Sequence, residues 1–216
     1  MTDIINTESQ TPRNPKGKPQ RFAVIYADPP WDIQQKGARG AQGKYDLMTL
    51  SRIKRMPVAN LAADNATLLL WTTNAALPGA LEVMKAWGFE YKTNAVWDKY
   101  YMGLGNYFRG SHEILLHGIR GKAPFKFRGQ RSTLLFPRQD HSHKPEEMIP
   151  LVERVLDGPY LELFARQRPN SHADWSIWGQ EAPGGSDVFI PGYPVPAYSK
   201  RATLSTTAQA EGVGDD

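Results

Sequence analysis

The chain has 216 residues, a net charge of +4 and 40% apolar residues, including six Trp, nine Tyr and eight Phe, enough for one ordinary domain with a sizeable core. It has no Cys, which excludes disulfides, Cys-based metal sites and thiol nucleophiles. No apolar run approaches the roughly 20 residues of a membrane span and the polar N-terminus is no signal peptide, so a soluble protein is expected, cytoplasmic in a prokaryote or phage-infected cell and nuclear in a eukaryote.

Residues 1–20 are polar and aperiodic and are expected to form a flexible N-terminus ahead of a folded domain over 21–181. The run Phe22–Ala27 reads as a short buried strand, closed by Asp28-Pro29-Pro30-Trp31. Residues 32–48, with Gly37, Gly40 and Gly43, read as a loop. A short helix is expected from Thr49 or Ser51, a second over Val58–Ala63, and a buried strand over Thr67–Trp71. Leu77, Leu81, Met84 and Trp87 recur at helical spacing over 76–87, and Gly88 is a suitable stop.

Further on, strands are expected over Phe89–Trp97, His112–Gly118, Ser132–Phe136 and Tyr160–Ala165, with loops over 99–110 and 119–131. His141-Ser142-His143-Lys144-Pro145 opens a helix whose apolar face is Met148, Ile149, Val152, Val155 and Leu156. Pro150 inside it requires a later start or a kink. Beyond Gln180 the Pro/Gly/Ser/Thr-rich residues 182–216 read as a flexible tail. Strands alternating with helices favour an α/β fold, with a mostly parallel sheet covered on both faces and ligands beyond the C-terminal strand ends. Asp28 and Arg166 both stand at such ends.

Charge is unevenly placed. Lys99 to Lys144 holds nine Lys/Arg against Glu113 and Asp140, a segment charge of +7. A second basic group, Lys36, Arg39, Lys44, Arg52, Lys54 and Arg55, follows the Pro-Pro turn. Basic loops 34–55 and 99–144 on either side of one turn point to a polyanionic partner; solvated loop charge is the plainer alternative.

The turn itself carries a specific chemistry. Pro30 keeps Pro29 out of helical geometry and neither proline donates a backbone hydrogen bond, so a carboxylate, free carbonyls and an indole are held rigid together. Such a device suits a reaction at the exocyclic amine of a planar base. Asp28 accepts one N–H, the Pro29 carbonyl accepts the other, and the nitrogen lone pair is turned toward an electrophile such as a methyl group on a sulfonium. Trp31 packs the base, and positioning supplies most of the catalysis.

Asp28-Pro29-Pro30-Trp31 resembles the motif of amino-group methyltransferases that use S-adenosylmethionine. The wider pattern is similar to the adenine-N6 family that includes the catalytic subunit of the messenger-RNA adenosine methyltransferase and bacterial and phage proteins. The features that carry it are Phe22-Ala23-Val24, Ala27 to Ile33, Leu70-Trp71-Thr72, Trp87-Gly88-Phe89, Ser111-His112-Glu113, Ser142 to Glu147 and Glu162 to Arg166.

The resemblance implies a Rossmann-like S-adenosylmethionine-dependent fold in permuted order, catalytic motif before cofactor motif. It also implies that Asp28 faces both the target amine and the cofactor's amino group. Lys144 binds the cofactor carboxylate and approaches the base; Arg166 and Asn170 hold the ribose, with Arg168 the alternative to Asn170. Gln180 replaces an Asn of the family, and Tyr45, Glu113 and His143 line the base pocket with Lys144. DNA is preferred to RNA as substrate because no RNA-binding module is recognisable. Assembly as a homodimer or heterodimer is compatible with the pattern.

Simpler roles stand beside these. Asp28 could cap its turn, Lys144 could be a solvated helix-start cation, Arg166 could close a strand-end salt bridge, and Glu113 could pair with a basic neighbour. Trp71, Trp87 and Trp97 read as core rather than base-stacking platforms. The histidines lack an acidic ligand set for zinc, and Gly103-Leu104-Gly105 lacks the third glycine of a dinucleotide fingerprint. Cytosine-N4 methylation needs the same turn chemistry, and a catalytically silent basic partner subunit would be expected to have lost Asp28, Trp31 or Lys144.

Overall fold

A computed structural model describes residues 21–32, 47–103, 107–138 and 143–195. Strand β1 (Phe22–Ala27) forms where its apolar run predicts, and helix α1 (Leu50–Lys54) starts at Thr49, whose Oγ1 accepts from the Arg52 N–H at 3.3 Å. The helix expected over Val58–Ala63 is only a 3-10 turn, Val58–Asn60, because Ala62 already pairs with Phe22 and opens β2 (Ala62–Thr72). Helix α2 (Leu77–Ala86) ends before Gly88, which adopts φ +82°, a left-handed value that glycine takes without a Cβ penalty.

Strands β3 (Glu90–Asp98), β4 (His112–Arg120) and β5 (Thr133–Leu134) follow, then helix α3 (Met148–Val155) and strand β6 (Tyr160–Leu163). Pro150 is the third residue of α3, where the missing N–H has no acceptor inside the helix, so the helix starts late and no bond is lost. Strand β7 (Trp175–Trp178) lies beyond the last strand expected from sequence; it pairs parallel with β6, Leu161 opposite Ser176. Nor do residues 182–195 behave as the expected tail. Val188 and Ile190 are buried in the core, and the Asp187 N–H donates to the Ile177 carbonyl at 2.8 Å. Residues 1–20 and 196–216 lie outside the described residues.

The strands form one sheet in the order β5–β3–β4–β2–β1–β6–β7. Among the described strands β4 alone runs against the rest, so the sheet is mostly parallel. Side chains alternate across it. Ile25, Leu68, Leu70, Leu161 and Leu163 face α1 and α2 with Ile53, Val83, Met84 and Trp87. Val24, Tyr26, Leu69 and Trp71 face α3 with Met148, Val152 and Val155. Both faces are therefore covered, and polar function is left to the sheet's edges. The C-terminal ends of β1, β2, β3, β6 and β7 share one edge, and the reversed β4 contributes its first residues there, since Thr72 pairs with Ile114.

Candidate active site

Asp28 leaves β1 at this edge, and its turn is fastened on three sides. The Trp31 N–H donates to the Pro29 carbonyl at 2.9 Å, and the Met48 N–H donates to the Pro30 carbonyl at 2.9 Å. The Trp31 indole N–H donates to the Trp71 carbonyl at 3.1 Å. Below the turn, Trp71 is fully buried; its indole N–H donates to the Tyr26 hydroxyl at 2.7 Å, and its ring meets Trp97 edge-on. The carboxylate thus stands on a packed aromatic floor, as rigid as the core beneath it.

Lys144 reaches Asp28 from the loop before α3. Its Nζ lies 2.6 Å from Asp28 Oδ2, 3.1 Å from Glu113 Oε2 and 5.4 Å from the centre of the Trp71 ring. Lys99, over the Trp97 ring, bonds the other Glu113 oxygen. The chain of alternating charges is largely shielded, the side chains of Lys144, Glu113 and Asp28 being 14%, 17% and 30% exposed. Burial disfavours every charge in it, but with unequal results. Burial, aided by Glu113, raises the Asp28 carboxyl despite Lys144. For Glu113 the two lysines overcome burial and lower it; for Lys144 the two carboxylates overcome burial and raise it.

Beside this group is a cavity of about 520 Å³, within the roughly 300–1,000 Å³ usual for small-ligand sites. Asp28, His143, Lys144, Glu147, Glu162, Phe164, Arg166 and Asn170 are among its lining residues. Arg166 lies 3.9 Å from Glu181, and Arg168 pairs with Asp187 at 3.0 Å. Phe164 has φ +66°, uncommon for a bulky residue, and it turns the chain out of β6 toward Arg166.

The expected residues separate into groups. Asp28, His143, Lys144, Arg166 and Asn170 line the cavity together, with Arg168 beside Asn170. Pro29, Pro30 and Trp31 build the turn but do not line that cavity, and Trp31 packs on the core with its N–H committed to Trp71. Glu113 pairs with both lysines, away from the cavity wall. Gln180 is exposed and also away from it. Tyr45 lies outside the described residues.

The basic stretch 99–144 is not one surface. Arg120 ends β4 at the opposite sheet edge, where the Lys122 N–H bonds Asn65 Oδ1, and Lys126 pairs with Asp157 just before β6. Exposed Arg109 and Arg138, in segments bordering β4 and β5, remain near the site's edge. The reversal of β4 carries Arg120, Lys122 and Lys126 to the far side.

Tyr26, Glu147, Glu162 and Phe164 were not singled out as site residues from sequence, yet they line the cavity. The signal for Glu162 was present: one carboxyl inside the apolar strand Tyr160-Leu161-Glu162-Leu163. Glu147 closes the motif Ser142 to Glu147, but nothing local gave it a role of its own.

The sequence model of the MT-A70 family matches residues 22–181. The chain is similar to the type II methyltransferase M.MunI of Mycoplasma sp, 32% identical over 76% of this chain and 79% of M.MunI. It is also similar to the human N(6)-adenosine-methyltransferase catalytic subunit METTL3, 28% identical over 76% of this chain but only 29% of METTL3. The MT-A70-like N(6)-adenosine-methyltransferase of Arabidopsis thaliana is 29% identical over 76% of this chain and 24% of its own length.

Proposed function

The chain belongs to the MT-A70 family, and on that premise we propose that it transfers a methyl group from S-adenosylmethionine to the N6 amino group of adenine in DNA. One observation carries the reading: Lys144 and Asp28, 116 residues apart in sequence, meet at 2.6 Å at the wall of a cavity on the sheet's ligand-binding edge.

The residues present fit the cofactor. A zwitterionic amino-acid end needs both signs of charge close together, and the wall offers Asp28 and Glu162 beside Lys144 and Arg166. Lys144 would hold the carboxylate, Asp28 the amino group, and Arg166 with Asn170 the ribose hydroxyls. Bound S-adenosylmethionine supplies an electrophilic methyl group on its sulfonium.

The protein's own part is orientation. Asp28 accepts one N–H of the adenine amine. The Pro29 carbonyl already accepts from Trp31, but its second lone pair can take the other N–H. Both bonds draw the nitrogen lone pair out of conjugation, and the proton lost after transfer passes to Asp28 or to water. The fastenings of the turn to Met48 and Trp71 prevent the acceptors from relaxing, which is where the rate gain lies.

Two features support DNA over RNA. The chain's identity to the type II methyltransferase M.MunI, 32%, is higher than its identity to METTL3 and the Arabidopsis relative, 28% and 29%. Exposed Arg109 and Arg138 offer contacts to a nucleic-acid backbone near the site. Labelled methyl transfer to DNA and RNA oligonucleotides, followed by nucleoside identification, tests both parts. N6-methyladenine is expected in DNA and is expected to fall by about 100-fold or more in Asp28→Asn. Label in RNA alone overturns the choice of polymer; no N6-methyladenine in either overturns the function.

A further inference from the structure

The charges lining the cavity do not balance among the described residues. Each of its lysine and arginine side chains already faces a carboxylate: Lys144 faces Asp28 and Glu113, Arg166 faces Glu181, and Arg168 faces Asp187. Of the wall's other carboxyl groups, Glu146 is exposed to solvent, and two shielded ones, Glu147 and Glu162, have no such partner among the described residues. Glu147 Oε2 is buried and accepts no hydrogen bond from any described residue. The Glu162 side chain, on β6 beside Tyr26 of β1, makes no hydrogen bond or ion pair with any described residue. The groups around Glu162 are the Tyr26 phenol and the Asp28 carboxyl on β1, Lys144 and Glu147 from the segment entering α3, and Arg166 beyond β6.

We infer that Glu162 is a specificity-determining residue that provides the counter-charge for a net-positive cofactor and so separates the methyl donor from its spent form. This rests on the proposed methyltransferase reading and adds to it. S-adenosylmethionine carries an ammonium, a carboxylate and a sulfonium, a net charge of +1. S-adenosylhomocysteine has lost the sulfonium charge and is net neutral. A site whose remaining charges are carboxyls gains from the first and not from the second, which favours loading of donor and release of by-product.

The empty-handed carboxyl has a measurable consequence. Burial, with Asp28 adding to it, pushes Glu162 up to about 8, so near pH 7 it holds a proton in the absence of a cation. When the sulfonium-bearing donor binds, that proton leaves to solvent and the carboxylate forms; the net charge of the site is then neutralised by the ligand. The neutral by-product gives no reason for the proton to leave.

The test is calorimetric binding of S-adenosylmethionine and of S-adenosylhomocysteine to the full chain at pH 7, in two buffers of different ionisation enthalpy. Close to one proton is expected to be released per donor bound and close to none per by-product. In Glu162→Gln the release is expected to vanish, with donor affinity falling about tenfold and by-product affinity staying within about twofold. Glu162→Asp is expected to restore part of the donor preference, which a merely structural effect would not do. Equal proton release for both ligands, or equal loss of both affinities in Glu162→Gln, overturns the inference while leaving the methyltransferase reading intact. No binding of either ligand overturns that reading and this one with it. The wild-type proton count decides the matter even if Glu162→Gln does not fold.

Discussion

At the scale of single residues, the site depends on one cation placed where burial should discourage it. Lys144 is tolerable because two carboxylates meet it, and each carboxylate is tolerable because of Lys144. Such a pair contributes little when compared with an apolar replacement, but losing one member strands the other. Lys144→Ala is therefore expected to destabilise the fold by about 3 kcal/mol near pH 8. The penalty should shrink as pH falls and Asp28, whose carboxyl is already raised by burial, takes up a proton. Urea denaturation of the two proteins at pH 5 and pH 8 measures this; an equal loss at both would mean that Lys144 acts by packing on Trp71 alone.

At the scale of elements, the approach of β7 to the end of β6 sets where Arg166 stands. Gly179 follows β7, and a Cβ built there would lie 2.0 Å from the Ala165 carbonyl oxygen, a backbone atom that cannot step aside. A Cβ at Gly118 would also be crowded, at 2.6 Å, but by the flexible end of Met84. Gly179→Ala is expected to cost about 2–3 kcal/mol and to weaken S-adenosylmethionine binding by displacing Arg166. Gly118→Ala is expected to cost about 1 kcal/mol with binding unchanged. Thermal melts with and without the cofactor separate the two, because only the first should lose the ligand-dependent rise. The same crowding explains why the segment after Gln180 is ordered: Ser186 Oγ accepts from the Gly179 N–H at 3.0 Å, and Asp187 ties to both Ile177 and Arg168.

At the scale of the whole molecule, stability and function pull on pH in opposite directions. Glu162 has an ordinary value of 4.5 and a folded value of about 8. The folded state therefore holds this proton more tightly, and the stability it contributes is complete below about pH 4.5 and lost as pH rises toward 8. His117 works the other way. Both its ring nitrogens are buried without a hydrogen-bond partner among the described residues, it packs edge-on against Phe125, and burial lowers it from 6.5. Stability from a neutral His117 is present above pH 6.5 and lost as pH falls below it. Subtracting the ligand-free wild type from Glu162→Gln isolates the first contribution. The variant is expected to be more stable at pH 8.5 by on the order of 3 kcal/mol and unchanged near pH 4.5, as melting across that range will show. A gain in stability joined to weaker donor binding is what a residue kept for function produces.

The sequence by itself was enough for the sheet's central strands, because strands buried on both faces read as continuous apolar runs: Phe22–Ala27 and Thr67–Trp71 were legible, and the run read over Tyr160–Ala165 is strand as far as Leu163. It was enough as well for the Asp28 turn, since two adjacent prolines determine their own backbone, and for Lys144 and Arg166, each of which sits in a distinctive local motif. Tertiary structure alone decided the rest. The helix expected over Val58–Ala63 stopped at a 3-10 turn because Ala62 found Phe22, a partner 40 residues away. Residues 182–195 joined the core because Val188 and Ile190 had apolar surface to meet, although their composition reads as a tail. The basic run was divided between opposite sheet edges by the reversal of β4. Glu162 was visible as one carboxyl in an apolar strand, but its role depends on other carboxylates matching Lys144, Arg166 and Arg168, and charge balance in a cavity is a sum over residues that only the fold brings together.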